Sequence, residues 1–324
     1  MSRYVFGPVA SRRLGRSLGV NNIPYKTCSY SCIYCQLGRT TELVVERRPF
    51  YSWREIVAEV ARAIERLDRA VDYITFVPDG EPLLDSSLGL EISWLKKEVG
   101  MPIAVFTNSS LLYLEDARAD LAEADLVSIK IDAVSEELWR YINRPHRALD
   151  LDSVLNGIEE FSKSFRGKLI TETMLVDELN TGGVELEGIA SFIARVNPYK
   201  AYIAVPVRPP AERFAKPPPS KKLVEAHQIF SKFLERNRFE LLNMPEPPQL
   251  KAWEEPAEWI ISTASVHPLR LEHALKALKE LVEDPEELIA RLVREGYIEL
   301  VDHLGEKFLI RRYCQSTSRG YGQP

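Results

Sequence analysis

The sequence predicts an α/β protein, a parallel sheet curled into a partial (β/α)6 TIM-type barrel and followed by a small C-terminal winged-helix-like domain. Three observations predict it. Short apolar runs rich in β-branched residues alternate with segments whose apolar residues recur at helical spacing, the pattern of parallel strands covered on both faces. Polar residues stand just after those runs, where the βα loops of a barrel converge on one mouth. Beyond a proline-rich stretch at 244–256 the pattern changes to three short helices and a hairpin.

Strand-like residues from Ser17 to Ile23 open the barrel, and a helix is expected over Trp53–Leu67, with Ser52 as N-cap and an apolar stripe of Ile56, Val60, Ile64 and Leu67. Further strands are expected at Tyr73–Val77, Ile103–Thr107, Leu126–Ile131, Leu169–Leu175 and Ala201–Val205. The helices between them include Ser86–Val99, Leu149–Phe165 and Gly183–Val196. Residues 206–219 carry too many prolines for a helix or sheet interior, which predicts a stiff extended loop that either walls the mouth with Arg208 and Arg213 nearby or simply spaces the barrel strand from the next helix. A helix over Ser220–Arg236 then completes the barrel domain, residues 1–243. Residues 244–256 form a linker, 257–313 the small domain, and 314–324 a polar tail expected to be disordered.

Composition narrows the function classes. A chain of 324 residues, 45% hydrophobic, has enough material for one large core and one small one. The absence of a membrane-length apolar run and of an apolar N-terminal signal stretch leads to a cytoplasmic expectation with no membrane partner. Of the four cysteines three are clustered, which fits a reducing compartment. The net charge of −5 offers polyanions no global attraction, so RNA contact needs a local basic patch. From Pro256 to Tyr313 eight Lys or Arg face eleven Asp or Glu, which favours a packing or protein-contact module over a strong DNA binder.

The chemistry concentrates in one loop, Cys28-Ser29-Tyr30-Ser31-Cys32-Ile33-Tyr34-Cys35. Thiolates are soft ligands for iron–sulfur clusters or zinc, and this spacing gathers three of them around one point. A four-iron cubane held by three cysteines keeps one iron open for a small molecule. The fourth cysteine, Cys314, lies in the distant tail and is a poor further ligand. Zinc binding or buried free thiols are the alternatives. The five histidines show no metal-ligand spacing.

This CxxxCxxC loop, with aromatic Tyr34 before its last cysteine, resembles the signature of the radical S-adenosylmethionine (radical SAM) enzymes. The resemblance implies that Cys28, Cys32 and Cys35 hold a 4Fe-4S cluster and that the amino and carboxylate groups of S-adenosylmethionine chelate its free iron. The stretch from Phe6 to Gly19 resembles a subgroup of archaeal and bacterial iron–sulfur oxidoreductases related to the enzymes of wybutosine biosynthesis in tRNA. Those enzymes carry additional N-terminal cysteines that this chain lacks, so their reaction does not transfer directly.

Polar residues at the strand ends complete the expected site. Pro78-Asp79-Gly80-Glu81-Pro82 follows the second strand and resembles the family's Gly-Gly-Glu motif, with Asp79 in place of a glycine. Gly80 permits close backbone approach, and Glu81 is suited to receive an ammonium group; an ordinary acidic turn is the alternative. Asn108, after the third strand, either edges a ligand or caps a helix. In the fourth strand alternation sends Ser128, Lys130 and Asp132 to one face. They form a structural network or, as the resemblance implies, bind the ribose (Ser128 or Asp132) and the carboxylate (Lys130) of S-adenosylmethionine. Thr171, Glu172 and Met174 of the fifth strand show no adenine motif.

The implied activity is reductive cleavage of S-adenosylmethionine to a 5′-deoxyadenosyl radical acting on an unknown substrate, RNA or a small molecule, with a ferredoxin or flavodoxin as electron donor. Two other readings are an activase that places a radical on a partner protein, with the C-terminal domain as its contact, and a metal-dependent redox-sensing regulator.

Overall fold

The computed structural model describes residues 4–242 and 255–312. An antiparallel pair, β1 (Val5–Ser11) and β2 (Gly15–Val20), opens the chain. The cysteine loop follows, pinned by the two-residue parallel pair β3 (Thr27–Cys28) and β4 (Glu42–Leu43). Then come α1 (Trp53–Arg66), β5 (Tyr73–Phe76), α2 (Leu88–Glu98), β6 (Ile103–Thr107), α3 (Glu115–Ala122) and β7 (Leu126–Lys130). Helices α4 (Glu136–Ile142) and α5 (Leu151–Ser164) lead to β8 (Lys168–Met174), α6 (Gly183–Val196), β9 (Lys200–Ala204), α7 (Ser220–Phe233) and β10 (Phe239–Leu242).

The strands lie in the order β1-β2-β5-β6-β7-β8-β9-β10, with every pair from β2 to β10 parallel. Sequential order with a helix between most neighbours is the arrangement of a partial (β/α) barrel. The described residues form seven parallel strands where the sequence pattern showed six, and an antiparallel strand adds a further edge. Both additions are edge strands. In β1 Gly7 and Pro8 interrupt the pattern, and an edge is where a sheet tolerates proline. β10 has four residues, Phe-Glu-Leu-Leu, too few to show a period.

Alternation divides the core. Ile103 and Val105 of β6 and Val127 and Ile129 of β7 face the helices, where the α1 stripe of Ile56, Val60 and Ile64 joins the same cluster. Ala104, Leu126, Ile170 and Tyr202 turn inward and fill one end of the barrel. Each large side chain buried this way contributes about 1.5–3 kcal/mol relative to exposure. Further along the inner face of β7, Ser128 and Lys130 replace apolar residues, and there the barrel holds a cavity.

The C-terminal part comprises α8 (Pro256–Val266), β11 (Leu269–Arg270), α9 (Leu271–Leu278), α10 (Pro285–Arg294), β12 (Ile298–His303) and β13 (Glu306–Arg311). Its strands pair antiparallel in the order β11-β13-β12. Trp259, Ile260, Leu278, Leu292, Ile298 and Leu309 give it a core of its own, and α8 packs against β1 of the barrel. The proline-rich linker, apart from Glu255 and Pro256, and the expected tail at 314–324 lie outside the described residues. No described helix is long and apolar enough to cross a membrane.

Candidate active site

Cys28, Cys32 and Cys35 are free, half-buried thiols that line the barrel cavity. Ser31 N donates to Asn143 O at 3.0 Å and Ile33 N to Ile142 O at 2.9 Å, which ties the loop to the end of α4. Each sulfur also receives at least one N–H donor. Asn108 Nδ2 lies 3.5 Å from Cys28 Sγ, Asn143 Nδ2 lies 3.5 Å from Cys32 Sγ, and Lys26 Nζ lies 3.2 Å from Cys35 Sγ. Burial, reinforced by the Glu81 charge, pushes the Cys28 thiol up to about 12; burial and Asp132 push Cys32 up to about 11. A metal centre must therefore displace protons as it binds.

The donor set fits a cluster. Three thiols that line one cavity, each with an N–H donor, are soft ligands of the number that suits an iron–sulfur centre with one iron left for another ligand.

The Asp79-Gly80-Glu81 turn braces this loop. A Cβ on Gly80 would stand 1.8 Å from Thr27 O, so only glycine allows the turn to lie against the start of the cysteine loop. Lys26 N donates to Asp79 O at 3.2 Å, and Asn21 Nδ2 donates to Asp79 Oδ2 at 2.9 Å. The Glu81 carboxylate accepts from Thr107 Oγ1 and Asn108 N, each at 2.6 Å, and from Leu83 N at 3.1 Å. Burial pushes both carboxyls up to about 7. Asp79, Gly80 and Asn108 line the cavity, whereas Glu81 is buried behind it and fixes the backbone of Asn108.

The fourth-strand residues divide similarly. Ser128 and Lys130 face the cavity. Asp132 is buried beyond the strand end, where it accepts from the Tyr34 hydroxyl, from Asn143 Nδ2 at 2.8 Å and from Met174 N at 2.8 Å. Tyr34 also lines the cavity, with Lys130 Nζ 5.0 Å from its ring centre. Lys130 Nζ donates to Glu172 Oε1 at 2.6 Å, and Arg13 pairs with the other oxygen. Burial pushes the Glu172 carboxyl up, but Arg13 and then Lys130 outweigh it and hold it at about 2.

The cavity, about 350 Å³, extends from the cysteines to the loop after β9, where Pro206, Val207 and Arg208 line it beside Val266 and His267 of the C-terminal part. Arg208 Nη1 donates to Gln36 Oε1 at 2.8 Å, its Nη2 lies 3.0 Å from His267 Nε2, and Gln36 Nε2 donates to Val266 O at 3.2 Å. The proline-rich loop is fastened to the cysteine loop as well. Glu212 N donates to Ile33 O at 2.9 Å, and the Glu212 carboxylate accepts from Arg39 Nε at 2.9 Å and Arg144 Nη1 at 2.5 Å.

Sequence reasoning assigned no role to Lys26, Asn143, Gln36 or His267. Lys26 stands two residues before Cys28, a signal that was available. Asn143 and His267 come from remote segments that only the fold brings to the site.

Residues 22–185, which include the cysteine loop, the Asp79-Gly80-Glu81 turn and β7, match the Radical SAM superfamily. The chain belongs to the radical SAM superfamily. It is an enzyme of radical chemistry, and its cofactors are those of the superfamily, a 4Fe-4S cluster and S-adenosylmethionine, whose cleavage to a radical is what the superfamily does. This radical SAM enzyme is 41% identical over 320 residues to UPF0026 protein MJ1312 of Methanocaldococcus jannaschii, covering 98% of this chain and 99% of that one. It is 35% identical over 208 residues to UPF0026 protein slr1464 of Synechocystis, covering 63% of this chain and 76% of that one. A radical SAM methyltransferase from Sphaerobacter thermophilus superimposes with a TM-score of 0.51 at 17% identity, covering 70% of this chain and 66% of that one. SuiB of Streptococcus suis superimposes with a TM-score of 0.53 at 11% identity, covering 70% and 49%. At those identities the two structures speak for the fold alone.

Proposed function

We propose that Cys28, Cys32 and Cys35 hold the cluster and that the adjoining cavity takes S-adenosylmethionine and a substrate, RNA or a small molecule, from which hydrogen is abstracted. The observation that carries this reading is that three thiols, each with an N–H donor, line one cavity together with Asn108, Ser128 and Lys130. The bound cluster and S-adenosylmethionine supply electron transfer and the 5′-deoxyadenosyl radical.

The chain's residues supply position. Gly80 and Asp79 border the space beside the cluster loop and present backbone there to the ammonium group of S-adenosylmethionine. Glu81 acts one step back, holding Asn108. Ser128 is suited to a ribose hydroxyl. Lys130, already paired with Glu172, is held at a fixed place for a carboxylate. Tyr34 and Met174 add apolar wall, and Asp132 steadies Tyr34 and Asn143. Arg208, Gln36 and His267 close the far end, which keeps water and stray hydrogen donors from a radical.

The domain limits of 1–243 and 257–313 are part of this proposal, supported by the separate C-terminal core. The order helix, strand, two helices and hairpin supports the winged-helix-like reading. Its contacts with the barrel favour a cavity-closing or protein-contacting role over DNA recognition. A cytoplasmic location and a ferredoxin- or flavodoxin-type donor follow from the reducing surroundings that clustered thiols need. The test is anaerobic reconstitution with iron and sulfide, reduction, and assay for 5′-deoxyadenosine. Wild type is expected to form it, and Cys32→Ala to lose both the brown chromophore and the product; either surviving in that variant contradicts the proposal.

A further inference from the structure

Lys26 has two features that its place in a loop does not require. Its side chain is buried at 2% exposure, although burying an ammonium group is expensive without a charged partner. Its backbone is left-handed, with φ of 55°, a conformation that disfavours a long side chain. The surroundings fix it there. Lys26 N donates to Asp79 O, while Lys26 O accepts from Thr41 N and Glu42 N, all at 3.2 Å. The result aims Nζ at Cys35 Sγ, 3.2 Å away. Asn108 and Asn143 are held just as firmly. Asn108 is fixed through Glu81 and Ser29, and Asn143 through Asp132, which takes one of its two amide hydrogens and leaves the other for Cys32, so each asparagine has an amide N–H on a different sulfur.

We propose that Lys26, Asn108 and Asn143 form a tuning set, one N–H donor to each cysteine sulfur, that raises the reduction potential of the cluster, with Lys26 contributing the largest share through its charge. The inference rests on the reading that these three cysteines hold the cluster. Reduction adds one electron from a one-electron donor protein and no proton, so the centre becomes more negative by one charge. N–H dipoles and a cation at the sulfurs favour that more negative form. The low dielectric of the buried site strengthens the effect. These are positioning residues that act through the cysteines.

The experiment is redox potentiometry followed by electron paramagnetic resonance on reconstituted full-length protein without S-adenosylmethionine, with iron content measured in parallel. Lys26→Met is expected to load iron like wild type and to shift the midpoint potential to a more negative value, with Lys26→Arg close to wild type. Asn143→Leu is expected to shift it in the same direction by less. An unshifted potential in iron-loaded Lys26→Met overturns the proposal, including the case in which that variant loses only affinity for S-adenosylmethionine. If Lys26→Met does not load iron, Asn143→Leu decides, and an unshifted potential there overturns the proposal equally. Failure of wild type to bind iron instead sinks the underlying assignment of the cysteines, which keeps the two failures distinct.

Discussion

Gly80 meets the Thr27 carbonyl at a distance that leaves no room for a side chain, since an added Cβ would stand 1.8 Å from the oxygen. Thr27 immediately precedes Cys28, so the turn after β5 acts as a stop against which the cysteine loop is set. Gly80→Ala must push the two segments apart. Overpacking of this kind costs about 1–3 kcal/mol. The expected outcome is a protein that folds with a lowered melting temperature and takes up clearly less iron on reconstitution; full iron content would contradict this account.

Glu172 gives a pH prediction whose sign follows from its two cations. Its carboxyl, ordinarily at 4.5, is held at about 2 because Arg13 and Lys130 outweigh the effect of burial. The unfolded chain therefore binds a proton more readily than the folded one. The stability from this group is fully present above about pH 4.5 and is lost as the pH falls towards 2, a contribution on the order of 3 kcal/mol. Urea titrations of wild type and Glu172→Gln should show a gap that narrows as the pH falls from about 4.5 towards 2. A constant gap would rule the mechanism out.

Tyr34 donates its hydroxyl to the Asp132 carboxylate, which otherwise has Asn143 Nδ2 and Met174 N as donors. Tyr34→Phe leaves the ring in place and removes the charged hydrogen bond, expected to cost about 1.5–3 kcal/mol. Chemical denaturation measures it. A loss below about 0.5 kcal/mol, the scatter of neutral surface changes, would show that the bond contributes nothing.

Arg208 bridges Gln36 of the cysteine loop and His267 of the C-terminal part. Arg208→Ala removes both contacts, together about 1.4 kcal/mol, which corresponds to roughly tenfold faster local opening. Hydrogen exchange should accelerate by about that factor around Val266 and His267 and stay unchanged in β6 and β7. Uniform acceleration across the barrel would mean that the substitution had destabilised the whole fold.

The barrel was legible because strands buried on both faces need uninterrupted apolar runs, and Ile103–Thr107 or Leu126–Lys130 cannot easily be read otherwise. Helix α6 begins and ends where its period does, at Gly183 and Val196. The edges were less legible. Proline in β1 and the brevity of β10 conceal strands whose stability comes from their neighbours. At the site, spacing singles out the three cysteines, and the fold sets all three on the barrel cavity. Spacing does not reveal whether a nearby carboxylate faces the ligand or the wall. Ser128 and Lys130 face the cavity, while Glu81 and Asp132 serve as struts behind it, because their oxygens are already occupied, those of Glu81 by Thr107 and Asn108 and those of Asp132 by Tyr34, Asn143 and Met174. Asn143 and His267 lie far from the cysteines along the chain and leave no local trace.

The packing of α8 on β1 has a consequence for handling the protein. β1 is the last strand on its side of the sheet, and a bare terminal strand offers its backbone groups as a template for self-association. A version of the chain shortened to the barrel alone would expose that ribbon, so oligomers would be expected even with every catalytic side chain intact.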